Sequence, residues 1–241
     1  MKTLDISNTD LSSVEPTLLA RAVTQLETVE MWNTQLTTQQ LEAILTAISR
    51  GTKLKSLNLS ANRLHSLAPE LLARAASRLE TVKLVGGLVT SQQAEAIFTA
   101  ISGGGSGMKD LDISNNDLLL IEPLLLAQAV NKLETVGLWR THVTTKQAEA
   151  IFTGILAGGK LENLNLSHNS LSSVSPWLMA RAVDRLETTK MQCTPLTGRQ
   201  TEAVFSVLSG DPMSDREVSG VNSQFPIYTA FSADYVLACH H

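Results

Sequence analysis

The residues able to do chemistry in this 241-residue chain are few, and their spacing speaks against catalysis. His65, His142 and His168 fall in separate segments with no nucleophile in register, so no acid–base pair within hydrogen-bond reach is implied. Gly103-Gly104-Gly105-Ser106-Gly107 is rich in glycine but lacks the Gly-Lys-Ser/Thr ending that would hold phosphates, and reads as a loop insertion. Cys239-His240-His241 offers metal-ligand types, yet a terminal triplet is not a metal site. Asp5, Glu30 and Asp112 are carboxylates, the first two expected as neighbours, on a surface with no water-excluding pocket. No catalytic residue, metal site or cofactor is assigned, and enzyme activity is not expected. The chemistry left is recognition. Trp32 and Trp139 carry it best, because tryptophan combines a large apolar ring with one donor and is enriched in binding hot spots.

The composition narrows the classes. With 19 Lys+Arg against 23 Asp+Glu the net charge is −4, which argues against the clustered basic footprint of a nucleic-acid or anionic-membrane binder. Hydrophobic residues make up 43% but aromatics only 4%, so the core must be built from Leu, Ile, Val and Ala. Two cysteines cannot make a disulfide scaffold. No apolar run approaches the ~18 residues of a bilayer span, and Met1-Lys2-Thr3-Leu4 has neither part of a signal peptide. A soluble, cytoplasmic protein is expected.

The elements that position these residues are copies of one another. Leu26-Glu27-Thr28-Val29 recurs as Leu79-Glu80-Thr81-Val82, Leu133-Glu134-Thr135-Val136 and Leu186-Glu187-Thr188-Thr189. A second set interleaves, starting at Met1, Leu54, Met108 and Leu161. The spacings run 25, 28, 25, 29, 25, 28 and 25, so short and long units alternate over residues 1–210. Unit 1 already begins on the leucine frame with no polar cap before it, and a fragment is the expected explanation; a natural array that starts uncapped is the other. Residues 211–241 lose the frame. Phe225, Ile227, Tyr228, Phe231 and Tyr235 would suit a C-terminal cap, and a disordered tail is the rival.

Within each unit the pattern is L-x-x-L-x-L-x-x-N/T-x-L, as in Leu54-Lys55-Ser56-Leu57-Asn58-Leu59 followed by Asn62 and Leu64. Alternating leucines make a strand with one apolar side. Asn62, Asn116 and Asn169 sit in the following turn, where a buried amide can bond its own and neighbouring backbones; Thr9, Thr34, Thr141 and Thr194 take that slot elsewhere, with Gly87 the exception. The second half of each unit is helical. Pro16, Pro69, Pro123 and Pro176 mark first helical turns in the short units. Thr37, Thr90, Thr144 and Thr197 each precede a Gln by three residues in the long units, a capping-box signature. Trp177 lies in one such first turn and reads as partial packing.

This pattern resembles the leucine-rich repeat family, and the alternation of two helical units is most similar to its ribonuclease-inhibitor-like subclass. That subclass includes the repeat domains of nucleotide-binding, leucine-rich-repeat immune receptors. The resemblance implies an α/β right-handed solenoid, a horseshoe with parallel strands on the concave side and helices on the convex side. Helices pack wider than strands, which bends the array.

On such strands the residues between and after the leucines face the concave side. In the short units they barely change: Asp5 and Ser7, Asn58 and Ser60, Asp112 and Ser114, Asn165 and Ser167. In the long units they vary: Glu30, Trp32 and Asn33; Lys83, Val85 and Gly86; Gly137, Trp139 and Arg140; Lys190, Gln192 and Cys193. Variation confined to one face suggests a surface for recognition, with drift at exposed sites as the plain alternative. The candidate ligand-binding residues are Glu30, Trp32, Asn33, Lys83, Val85, Trp139, Arg140, Lys190 and Gln192. The resemblance implies a recognition module, the sensing or autoinhibitory repeat domain of a cytoplasmic innate immune receptor. Its partner would be a protein or microbial ligand, or another domain of a longer chain, with no nucleic acid and no membrane span. A stand-alone inhibitor resembling ribonuclease inhibitor, or a GTPase-activating repeat protein, is the alternative.

Overall fold

The computed structural model describes residues 2–210. The cap or tail expected over 211–241 lies outside the described residues, as does Met1. Each unit supplies one three-residue strand and one α-helix, and unit 3 adds a 3-10 turn over Leu64–Ser66. Unit 1 carries β1 (Thr3–Asp5) and α1 (Pro16–Val23), and unit 2 carries β2 (Thr28–Glu30) and α2 (Thr38–Arg50). Units 3 and 4 follow with β3 (Ser56–Asn58), α3 (Pro69–Ala76), β4 (Thr81–Lys83) and α4 (Ser91–Ser102). Then come β5 (Asp110–Asp112), α5 (Pro123–Val130), β6 (Thr135–Gly137) and α6 (Thr145–Leu156) in units 5 and 6. Units 7 and 8 close with β7 (Asn163–Asn165), α7 (Pro176–Asp184), β8 (Thr188–Lys190) and α8 (Gly198–Ser209). The strands form one sheet in the order β1 to β8, every neighbour parallel. Each strand–helix–strand passage is thus a crossover between adjacent parallel strands, the right-handed connection of such units.

The alternation of the leucine frame explains the strands. Val29, Leu57, Val82, Leu111, Val136 and Leu164 point into the core between sheet and helices, and Met31, Leu59, Leu84, Ile113, Leu138 and Leu166 continue it after each strand. Helices meet them with one apolar stripe; α2 buries Leu41, Ile44, Leu45 and Ile48. The prolines open α1, α3, α5 and α7 as expected, and the capping boxes open α2, α4, α6 and α8. Trp177 is half-buried at the start of α7.

Buried amides hold the units to one another. Asn62 Nδ2 donates back to Met31 O of unit 2 at 2.8 Å and to its own Leu59 O at 3.1 Å. Asn116 does the same to Leu84 O at 2.9 Å and Asn169 to Leu138 O at 2.7 Å. These bonds run only from a short unit to the long unit before it. The other boundaries are closed by the capping-box glutamines, whose role extends past the cap. Gln40 Nε2 donates to Leu11 O and Val14 O at 2.7 and 2.6 Å while its Oε1 accepts from Thr37 N. Gln93, Gln147 and Gln200 repeat the arrangement. Asn and Gln alternate so that each boundary between neighbouring units has its own amide clamp, which satisfies the loop carbonyls that burial would otherwise strand.

A second regularity shapes the rim. The residue three places after each strand is left-handed: Asn8, Asn33, Ala61, Gly86, Asn115, Arg140, His168 and Cys193 all have φ between 49° and 59°. This turn lifts the chain out of the sheet on the same side in each unit.

Candidate functional site on the concave face

The first and third residues of every strand project from the concave side. The near-constancy of the short units there has a structural cause. Asp5, Asn58, Asp112 and Asn165 each accept a bond from the backbone N–H two residues on, at Ser7, Ser60, Ser114 and Ser167. The serine hydroxyls of units 3, 5 and 7 accept in turn from Val85 N, Trp139 N and Gln192 N of the next unit, at 2.9–3.0 Å. These pairs bridge turns, so they are held by folding. The long-unit slots lack that duty and are free to vary. The Ser7 N–H bond also keeps the Asp5 carboxyl below the usual carboxylate range.

The candidate residues divide into three groups. Glu30 accepts from Asn58 Nδ2 at 2.6 Å, and Lys83 Nζ lies 3.6 Å from Glu30 across the intervening strand β3. The acid at this end of the face is therefore tied to a base. Asn33 donates to Asn8 Oδ1 at 2.9 Å along the left-handed rim, and Trp32 beside it is 42% exposed. Trp139 occupies the same slot as Trp32 but is only half-exposed. His168 accounts for the difference. Its ring meets Trp139 edge-on with centroids 5.5 Å apart, whereas the corresponding residue after Trp32 is Ala61. The two tryptophans, alike in sequence, are thus not alike in setting. Val85, Arg140 and Gln192 lie along the rim after their strands.

Between them lies a shallow depression of about 430 Å³ spanning β4 to β8. Lys83 and Lys190 stand at its two ends, and Asp110, Asp112, Asn163 and Asn165 line it with a floor at Gly137. At its floor one column lacks a side chain. The slot of Gly137 holds Glu30, Lys83 and Lys190 in the other long units. A Cβ at 137 would stand 2.3 Å from Asp112 Oδ1, because that carboxylate leans into the space the glycine leaves. Asp110 is bonded by Thr81 Oγ1 at 2.9 Å. Of the candidates named from sequence, only Lys83 and Lys190 line this depression; Asp112, Gly137, Asn163 and Asn165 complete it. The signal for Gly137 was present, as a glycine in a column of charged residues.

The surface presents fixed hydrogen-bonding groups of both charge signs. Among the described residues there is no cluster of His, Cys, Asp or Glu that could hold a metal ion. None of the described helices is long and apolar enough to cross a membrane.

Comparison with known proteins agrees with this architecture. The sequence profile of the Leucine Rich Repeat family matches residues 53–75 and 160–181, within units 3 and 7. The chain folds as a solenoid similar to those of leucine-rich-repeat proteins. Over 179 residues it is 28% identical to human "NACHT, LRR and PYD domains-containing protein 13", covering 70% of this chain and 17% of that protein. Over 196 residues it is 24% identical to human "NACHT, LRR and PYD domains-containing protein 12", covering 76% of this chain and 18% of that one. The solenoid therefore spans less than a fifth of the length of these relatives, and it is similar to the repeats of nucleotide-binding, leucine-rich-repeat proteins. Among solved structures it resembles the leucine-rich repeat-containing protein LegL7 of Legionella pneumophila, with TM-score 0.52 and 16% identity over 84% of this chain and 69% of that one. An internalin of Listeria monocytogenes matches with TM-score 0.51 and 11% identity over 84% of this chain and 56% of that one. At such identities the likeness is one of fold.

Proposed function

We propose that this chain is a recognition module that binds a protein ligand in the concave depression floored by Gly137. The supporting observation is the contrast between slots. Short-unit residues on this face are committed to turn bonds, while the long-unit slots carry Glu30, Lys83, Gly137 and Lys190 in a frame that is otherwise copied. A solenoid holds such groups on a rigid scaffold, which lowers the ordering cost of binding. The similarity to NACHT- and PYD-bearing relatives supports a place for the module in a larger cytoplasmic receptor, as its sensing or autoinhibitory arm. Because Lys83 is tied to Glu30 and Lys190 stands beyond, the face does not form the acidic grip an inhibitor of a basic enzyme would use.

The test uses a random peptide-display library selected on the immobilised chain. Gly137→Lys places in the depression the residue that the sister units already tolerate at this slot. Clones that bind the parent and lose Gly137→Lys support the reading; clones indifferent to it contradict the reading.

A further inference from the structure

Away from the concave face, unit 5 departs from its sister units at the loop leading into α5. Leu119, Leu120 and Leu124 are 52%, 80% and 59% exposed. The corresponding residues are Ser12, Ser13 and Thr17 in unit 1, and His65, Ser66 and Glu70 in unit 3. Unit 7 has Ser172, Ser173 and Trp177. The internal copies show that the fold accepts polar residues in the loop, so the leucines are not required by the core. Clustered exposed leucines of this kind mark contact surfaces.

A second departure falls in the same unit. Gln128, one turn after Leu124 on the same face of α5, replaces the arginine found as Arg21, Arg74 and Arg181 in the other short units. The exposed carboxylates Asp117 and Glu122 flank the leucines. Asp117 Oδ1 caps Leu119 N at 3.0 Å and has the His142 ring 3.5 Å away; Glu122 Oε2 accepts from Leu125 N at 2.8 Å. Unit 5 has gained apolar surface and lost its helix arginine at one place, leaving exposed leucines bordered by Asp117 and Glu122; the cation of the neighbouring helix is Lys146, next to the Gln147 that bonds this loop.

We infer that this patch docks a basic amphipathic helix of a protein partner, leucine-type side chains resting on Leu119, Leu120 and Leu124, with Lys or Arg beside Asp117 and Glu122. The site lies on a different surface from the concave depression and is independent of it. An anionic membrane fits it poorly, since the carboxylates repel such a surface.

The probe is a synthetic amphipathic helix with a leucine stripe and lysine flanks, compared by fluorescence anisotropy with the same stripe flanked by glutamates. The full chain should bind the lysine form at least about tenfold tighter. The variant carrying Leu119→Ser, Leu120→Ser and Leu124→Thr takes the residues of unit 1, and should lose at least about tenfold in affinity with an unchanged Tm. Glu122→Ser, the cap residue of unit 7, should weaken the lysine form selectively. Equal binding of both peptides, no measurable binding, or undiminished binding by the triple-leucine variant would each overturn the proposal. So would tighter association with phosphatidylserine vesicles than with the lysine peptide, or a self-association that the triple-leucine variant abolishes.

Discussion

Gln147 Nε2 donates to Leu118 O at 2.8 Å, tying α6 to a loop 29 residues earlier in the chain. The same nitrogen reaches Ile121 O at 2.6 Å, while Oε1 accepts from the helix's own N-cap at Thr144. One fully buried side chain thus caps a helix and closes a unit boundary. Gln147→Leu keeps the size but strands the Ile121 carbonyl and the Thr144 N–H, and leaves Leu118 O with only its bond from Ile121 N. It should cost about 2–4 kcal/mol in denaturant unfolding, with the loss felt through the middle of the array. Gln200→Leu breaks the equivalent clamp at the last boundary among the described units. In a solenoid whose units contact only their neighbours it should release unit 8 and leave units 1–7 cooperative. Equal effects of the two variants on hydrogen exchange in β4–β6 would refute this picture.

The two tryptophans should separate in a stability measurement. Trp139→Ala removes the edge contact with His168 and should cost about 1–2 kcal/mol. Trp32→Ala, with Ala61 at the corresponding place, should stay within about 0.5 kcal/mol of the parent. A double variant in which Trp139→Ala is combined with His168→Ala tests the coupling: the second change should add little once the first is made.

The layout of the fold was legible in the sequence and the reach of its polar side chains only partly so. Eight strand–helix units, the prolines at the short helices and the Thr–Gln capping boxes all follow from spacing, because local hydrogen bonds and apolar period act over a few residues. The asparagine bonds to a neighbouring unit were also expected, and Asn62, Asn116 and Asn169 make them. The second job of Gln40, Gln93, Gln147 and Gln200 was not, since it joins backbones 26 to 29 residues apart whose proximity exists only after stacking. The concave site shows the same limit. The column containing Gly137 is visible in an internal alignment, but the leaning of Asp112 into its space is a three-dimensional fact. Trp32 and Trp139 share a slot and differ because of residues in the turn after the next strand, Ala61 and His168.

Acid should act first at the beginning of the array. Asp5 is held below the ordinary carboxyl value of 3.8 chiefly by the Ser7 backbone N–H, and Asp10 by the side chain and backbone of Ser12. Glu15 falls below 4.5 chiefly through the Thr17 hydroxyl, with help from the Thr17 and Leu18 N–H groups that it caps. Lowered folded-state values mean that these groups stabilise the fold above their ordinary values, and that the benefit is lost as pH falls through the lowered ones. Amides of unit 1, including Ile6 and Leu19, should lose exchange protection at a higher pH than those of β4–β6. Simultaneous loss throughout the array would contradict this order.

Gly137→Lys should leave the fold intact, since Lys83 and Lys190 occupy the same slot, although Asp112 must swing out of the space it now fills. A change of less than about 1 kcal/mol in denaturant unfolding is expected. A larger loss would show that the Asp112 carboxylate has a structural role at that place, and would disqualify the variant as a probe of binding.

Lysine footprinting tests the concave-face account most directly. Acetylation rates of Lys83 and Lys190, at the two ends of the depression, are compared with those of Lys146 and Lys160 elsewhere on the solenoid, with and without a display-selected ligand. Ligand seated in the depression should slow labelling of Lys83 and Lys190 together and leave Lys146 and Lys160 unchanged. Protection of Lys146 or Lys160 with Lys83 and Lys190 still fully reactive would place recognition on another surface and contradict that account.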